Sequence, residues 1–224
     1  GVNGNLAQVT DTVPKEIGKD NEPIGRWGRQ YGSTPKAVSR SATAFLEGML
    51  EGGVEGTVKH FPGLGRVRNN TDFSATGITD SVATTDDPFL QPFADGIEAG
   101  AGLVMMASAR YPKLDKANPA MFSEKIVTGL LREQMGYEGV VITDDVNAQA
   151  LDAVPVGDRA VRHIGAGGDI VLTGAASDAD EMLEALAAEA RSDAGFAAKV
   201  DASVVRVLTL KERMGLLPCS TSKP

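Results

Sequence analysis

The sequence is poor in the residues that build covalent cross-links, and short of positive charge. A single cysteine, Cys219, occurs in 224 residues, so no internal disulfide can form and a disulfide-stapled fold is excluded. Lysine and arginine number 22 against 30 aspartates and glutamates, a net charge of −8 that argues against polyanion binding and removes nucleic acid as an expected partner. No run of eighteen apolar residues occurs, so no membrane span is expected. The stretch Gly1-Val2-Asn3-Gly4 has neither the basic nor the apolar region of a signal peptide. Also missing is a glycine-rich phosphate loop after the first apolar run, where Asp11-Thr12-Val13-Pro14 stands instead, which counts against a nucleotide-binding domain.

What is present is enough apolar material, 42% of residues, for one substantial domain over 1–224, ending in a polar tail at 216–224 that holds Cys219. If the environment is oxidising, that cysteine needs a partner on another segment or chain, which leans localisation slightly towards export over the cytoplasm. The apolar core of Gly4 to Asp11 predicts a first buried strand. Residues 12–33 are polar and rich in glycine and proline, predicting a long loop over the strand ends. Thr34 and Pro35 begin a helix carrying Val38, Ala42, Phe45, Leu46 and Met49 at helical spacing, which Gly52-Gly53 ends. Val54 to Val58 predicts a second strand, stopped by Pro62, Gly63 and Gly65. Residues 66–74 have neither period and are expected to form a mobile loop. Helices from Asp87-Pro88, Ser123, Asp158 and Ala179, and one over Ala197 to Met214, then alternate with strands at Leu103–Ala107, Val140–Thr143 and Asp169–Leu172. Strands alternating with helices indicate parallel βαβ units and an α/β class.

Lys59 and His60 fall at the C-terminal end of the second strand, and Asp144 at the end of the fourth. Ligands collect at that edge in sheets whose strands are joined by helices. Lys59-His60-Phe61-Pro62-Gly63-Leu64-Gly65, followed about eighty residues later by Gly139-Val-Val-Ile-Thr-Asp144-Asp145-Val146, resembles the signature pair of glycoside hydrolase family 3, in its β-N-acetylhexosaminidase-like branch. Two further blocks agree in order and spacing: Arg29-Gln30-Tyr31-Gly32-Ser33-Thr34-Pro35, and Leu103 to Ser108 with Tyr111-Pro112.

The resemblance implies a (β/α)8 barrel of which this chain supplies about the last five βα units. Three N-terminal units would then belong to a missing segment or to a second chain, and without them two strand edges and much apolar surface are expected to lie open. It also implies a retaining exo-β-glycosidase that removes terminal β-linked sugars, β-N-acetylglucosaminides of cell-wall or chitin-type fragments above all. Carboxylates and water suffice for that reaction, so no metal or organic cofactor is expected. Asp144 matches the family's nucleophile, with Asp145 the expected cap of the following helix. Arg29, Lys59 and His60 match residues that bind the hydroxyls of the terminal sugar.

One departure stands out. Where hexosaminidase-like members carry a second histidine and then Asp-Ser-His, this chain has Leu64 and a segment around Asn70-Thr71-Asp72-Phe73. Asp72 is therefore the expected proton donor, since a carboxylic acid serves when its surroundings raise its pKa. The other histidine, His163, lies in a helix and is expected to pack or face solvent. The same departure supports an alternative, a degenerate member that binds carbohydrate without turnover.

Overall fold

The computed structural model describes residues 1–218; Cys219 and the rest of the polar tail lie outside the described residues. The fold is built on parallel strands β1 (Gly4–Asn5), β2 (Glu55–Phe61), β3 (Leu103–Met106) and β6 (Val140–Thr143), hydrogen-bonded side by side in chain order. Between β3 and β6 a small antiparallel ribbon, β4 (Arg110–Tyr111) with β5 (Asp115–Pro119), leaves the sheet, an element the sequence pattern did not predict. A doubly wound sheet reverses its strand order at a switch point. Here the order never reverses, so the sheet is an arc of a barrel.

Helices α1 (Pro35–Glu51), α2 (Gln91–Glu98) and a π-wound helix over Lys125–Gln134 make the crossovers; α3 (Val156–Gly165), α4 (Ala179–Ser192) and α5 (Ala194–Arg213) follow β6. The start signals of the three crossover helices are those read in the sequence. Thr34 accepts from the Ala37 N–H ahead of Pro35, Asp87 from the Phe89 N–H ahead of α2, and Ser123 from the Ile126 N–H.

Alternate strand residues face opposite ways. Val58, Val104 and Val141 join Leu46 of α1 and Ile126, Leu130 and Leu131 of the π-wound helix in the main core, where Phe61 and Phe93 meet edge to face at 5.4 Å between ring centres. Leu103, Met105, Val140 and Ile142 point to the other face and cluster with Leu210 of α5. α5 covers that second face, with Arg213 paired to Glu55 at the foot of β2. Apolar surface lies open along α4 and α5. Leu183, Val204, Val205 and Leu208 are exposed, and a groove of about 530 Å³ runs beside Ile170 and Val171.

Both outer strands are shorter than the sequence predicts. The first keeps ladder pairing at Gly4–Asn5 and a single bridge from Val9 to Lys59, and the fifth, expected over Asp169–Leu172, is a single bridge from Ile170 to Ile142. Each has one neighbour, so half of its backbone groups have no strand to bond. Among the described residues no helix is long and apolar enough to cross a membrane.

Candidate functional site

Between Lys59 and Phe61 the β2–β3 register shifts: Lys59 pairs with Met105 and Phe61 with Met106, leaving His60 as an extra residue. Such a bulge re-aims side chains at a strand end. The turn that follows is packed against the first segment of the chain so tightly that a Cβ on Gly65 would lie 1.7 Å from the Thr12 carbonyl oxygen. Tyr111 donates to the Gly63 carbonyl (2.8 Å), and the Asn21 amide donates to the carbonyls of Leu64 and Val67.

His60 is held from behind by Asp11, whose Oδ2 lies 2.7 Å from His60 Nδ1; its Oδ1 accepts the Leu64 N–H at 2.6 Å. From the front, His60 Nε2 faces Asp144 Oδ2 at 3.8 Å. Asp144 follows β6 directly, its N–H donating to the Met106 carbonyl. Its side chain is 20% exposed, against 0% for Asp11 and 4% for His60, so it is the member of this line open to a ligand.

Two cations stand beside this line. Burial lowers the pKa of Lys59, and the neighbouring Arg29 charge lowers it further, while the carboxylates of Asp144 and Asp11 oppose both. Arg29 is positioned by a 2.8 Å hydrogen bond to the Pro23 carbonyl.

Asp72 reaches the same site from the β2–α2 connection. Its carboxyl is raised above the usual carboxylate range, first by desolvation among its neighbours and then by the Asp144 charge, with His60 and Arg29 acting the other way. The loop that carries it is irregular, as expected, but it is tied down where mobility was predicted. Asn70 N–H donates to Glu22, Glu22 N–H to the Arg68 carbonyl, and the N–H groups of Gln149 and Ala150 to the carbonyls of Asp72 and Thr71. At its base Arg66 makes two bonds to Asp87 (2.7 and 2.9 Å) and one to Asp80 (3.2 Å), and lies 3.7 Å over the Phe89 ring.

One expectation is corrected. Asp145 caps no helix: its Oδ1 accepts from Asn147 and Gly174 N–H, bracing the loop after β6 against the segment beyond Ile170. His163 takes the first of its two expected places: it packs inside and is fully buried, its Nδ1 2.9 Å from the Met121 carbonyl. The site residue that sequence reasoning missed is Asp11, read there as the polar end of a strand. Its signal was a carboxylate closing an apolar run, which is too common to single out.

Residues 10–210 match the glycosyl hydrolase family 3 N terminal domain. The chain belongs to that family. It is 36% identical over 173 residues to a beta-hexosaminidase of Xanthomonas oryzae, covering 77% of this chain and 49% of that protein. An uncharacterized secreted glycosyl hydrolase of Arthroderma benhamiae is 38% identical over 177 residues, 76% of this chain and 48% of its own length. Among solved structures, a beta-N-acetylhexosaminidase from Beutenbergia cavernae superposes with a TM-score of 0.91 at 46% identity, over 95% of this chain and 63% of that one. A family 3 beta-N-acetylglucosaminidase from Paenibacillus superposes at 0.84 with 31% identity, over 99% and 43%. The family 3 chain described here thus spans about half the length of the curated relatives it matches.

Proposed function

We propose that this family 3 chain is the larger part of the catalytic barrel of a retaining exo-β-glycosidase acting on terminal β-N-acetylglucosaminides, in cell-wall or chitin-type fragments. In this reading Asp144 attacks the anomeric carbon, and Asp72 protonates the departing oxygen and then deprotonates the water that releases the sugar. Arg29, Lys59 and His60 bind the sugar hydroxyls. The observation that carries it is the pairing of an accessible Asp144, flanked by Lys59 and His60, with an Asp72 that is exposed yet has its carboxyl raised by partial desolvation and by the Asp144 charge. Two carboxyl groups in unequal surroundings are what acid and nucleophile require. The nucleophile sits on a rigid strand end, with Lys59 and His60 beside it.

The barrel of this proposal is closed by further βα units, from the rest of the protein or from a second chain. The unreversed strand order, the half-length match and the apolar groove beside Ile170 support that closure. One observation favours a second reading, a carbohydrate binder without turnover: Leu64 and the segment 66–74 carry no histidine where the family's hexosaminidases do.

The deciding experiment is hydrolysis of 4-nitrophenyl β-N-acetylglucosaminide and the matching β-glucoside by the full-length protein, beside Asp144→Ala. Release that vanishes in the variant supports the enzyme and identifies the sugar. Sugar binding with no release from either protein supports the binder.

A further inference from the structure

Asp11 touches no accessible surface, yet it makes three hydrogen bonds, all to the segment His60–Leu64: His60 Nδ1 at 2.7 Å, His60 N–H at 3.2 Å and Leu64 N–H at 2.6 Å. A buried carboxylate can only accept. The proton it shares with the ring must therefore reside on Nδ1, and Nε2 is the nitrogen turned towards Asp144. At 3.8 Å the two are too far apart for a hydrogen bond, so Nε2 is left for a third group beside them.

We propose that Asp11 is a positioning residue that sets the polarity of the site through His60. By holding the Nδ1 proton it presents Nε2, rather than an N–H of fixed direction, to whatever lies beside Asp144. The same carboxylate pins the turn carrying His60 through the Leu64 N–H, so ring tautomer and backbone position are set by one side chain. A ring nitrogen without a proton accepts, so the group it binds beside the Asp144 carboxylate is a donor; in the reading above, this is a sugar hydroxyl next to the reacting carbon, which donates its one hydrogen bond to Nε2 and accepts with its oxygen from the Lys59 ammonium. The first part rests on geometry alone, whereas the ligand assignment rests on the proposed glycosidase activity.

Asp11→Asn separates the two roles. The amide oxygen still accepts the Leu64 N–H, while the NH2 gives up the 3.2 Å bond from the His60 N–H, faces Nδ1 and drives the ring proton to Nε2. The test is two-bond ¹⁵N–¹H NMR of histidine-labelled protein, with the His60 signals assigned by their loss in His60→Gln. The parent is expected to show a protonated Nδ1, and Asp11→Asn a protonated Nε2 with loss of the Nδ1 proton. Turnover should fall on the order of 10²-fold with the melting temperature largely kept. A parent ring protonated at Nε2 alone, or an Asp11→Asn variant with an unchanged tautomer, would overturn the proposal. If the variant does not fold, the parent spectrum decides alone. If no sugar is cleaved by the parent, the glycosidase reading fails while the tautomer still tests Asp11.

Discussion

His60 Nε2 and Asp144 Oδ2 face each other across 3.8 Å, an imidazole locked from behind by Asp11 and a carboxylate open in front. The distance is longer than a hydrogen bond, so each atom is left to bond a third group approaching from the side. Lys59, Arg29 and Asp72 converge on the same place.

The Asp72 carboxyl, raised by desolvation and by the Asp144 charge, holds its proton to higher pH than an ordinary aspartate. Asp72→Asn is expected to lower hydrolysis of a glycoside with a poor leaving group by about 10²–10⁴-fold. A 2,4-dinitrophenyl glycoside, whose departure needs no proton, should lose far less in its first step. Comparing the pre-steady-state bursts of the two substrates checks this; equal losses would remove Asp72 from the acid role.

Arg66 anchors the base of the Asp72 loop. Burial pushes the Asp87 carboxyl up, but hydrogen bonds from Arg66 and the Phe89 N–H outweigh it and leave the pKa below the usual value. Replacing Arg66 by leucine strands two buried carboxylates, Asp80 and Asp87, at a cost of about 3–5 kcal/mol. Urea unfolding at neutral pH checks the figure. Because the folded pKa of Asp87 is depressed, its stabilising share is present above the ordinary aspartate value and is lost as pH falls through the folded one.

His163 contributes with the same sign at higher pH. Its ring is buried, which lowers its pKa against the weaker pull of the Met121 and Val141 carbonyls. The unfolded chain takes up a proton at this histidine from about pH 6.5 downwards, while the folded chain resists. Stability is therefore expected to fall between about pH 7 and 5, and His163→Gln should flatten that part of the stability–pH curve. An unchanged slope would show that other groups carry it.

Two glycines give opposite outcomes. Gly65→Ala places a methyl within 1.7 Å of the Thr12 backbone oxygen, and no side-chain movement relieves that contact. Loss of the native turn is expected, at a cost of about 3 kcal/mol or more. Gly129→Ala, in the π-wound helix with its nearest neighbour at 4.0 Å, should be neutral or stabilising by up to about 1 kcal/mol. Thermal melts of both variants check the contrast.

The alternating pattern, the capping residues Thr34, Asp87 and Ser123, and the placing of Lys59, His60 and Asp144 at strand ends were legible because each depends on local spacing. The shrunken outer strands were not, since strand length at an edge depends on neighbours that local spacing does not reveal. Nor was the ribbon Arg110–Pro119, whose two residues of β4 are too short for any period to show. Asp11 and the pinned loop at 66–74 depend on contacts across about fifty residues, Asp11 to His60 and Glu22 to Asn70, which no local pattern encodes.

The account stands or falls on Asp144 as the attacking carboxylate. The most direct measurement is covalent trapping of the full-length protein with a fluorinated N-acetylglucosaminyl fluoride that slows release, followed by peptide mass mapping. A glycosyl adduct on Asp144, absent from Asp144→Ala, is the predicted result. An adduct on another residue, or undiminished turnover by Asp144→Ala, would contradict it.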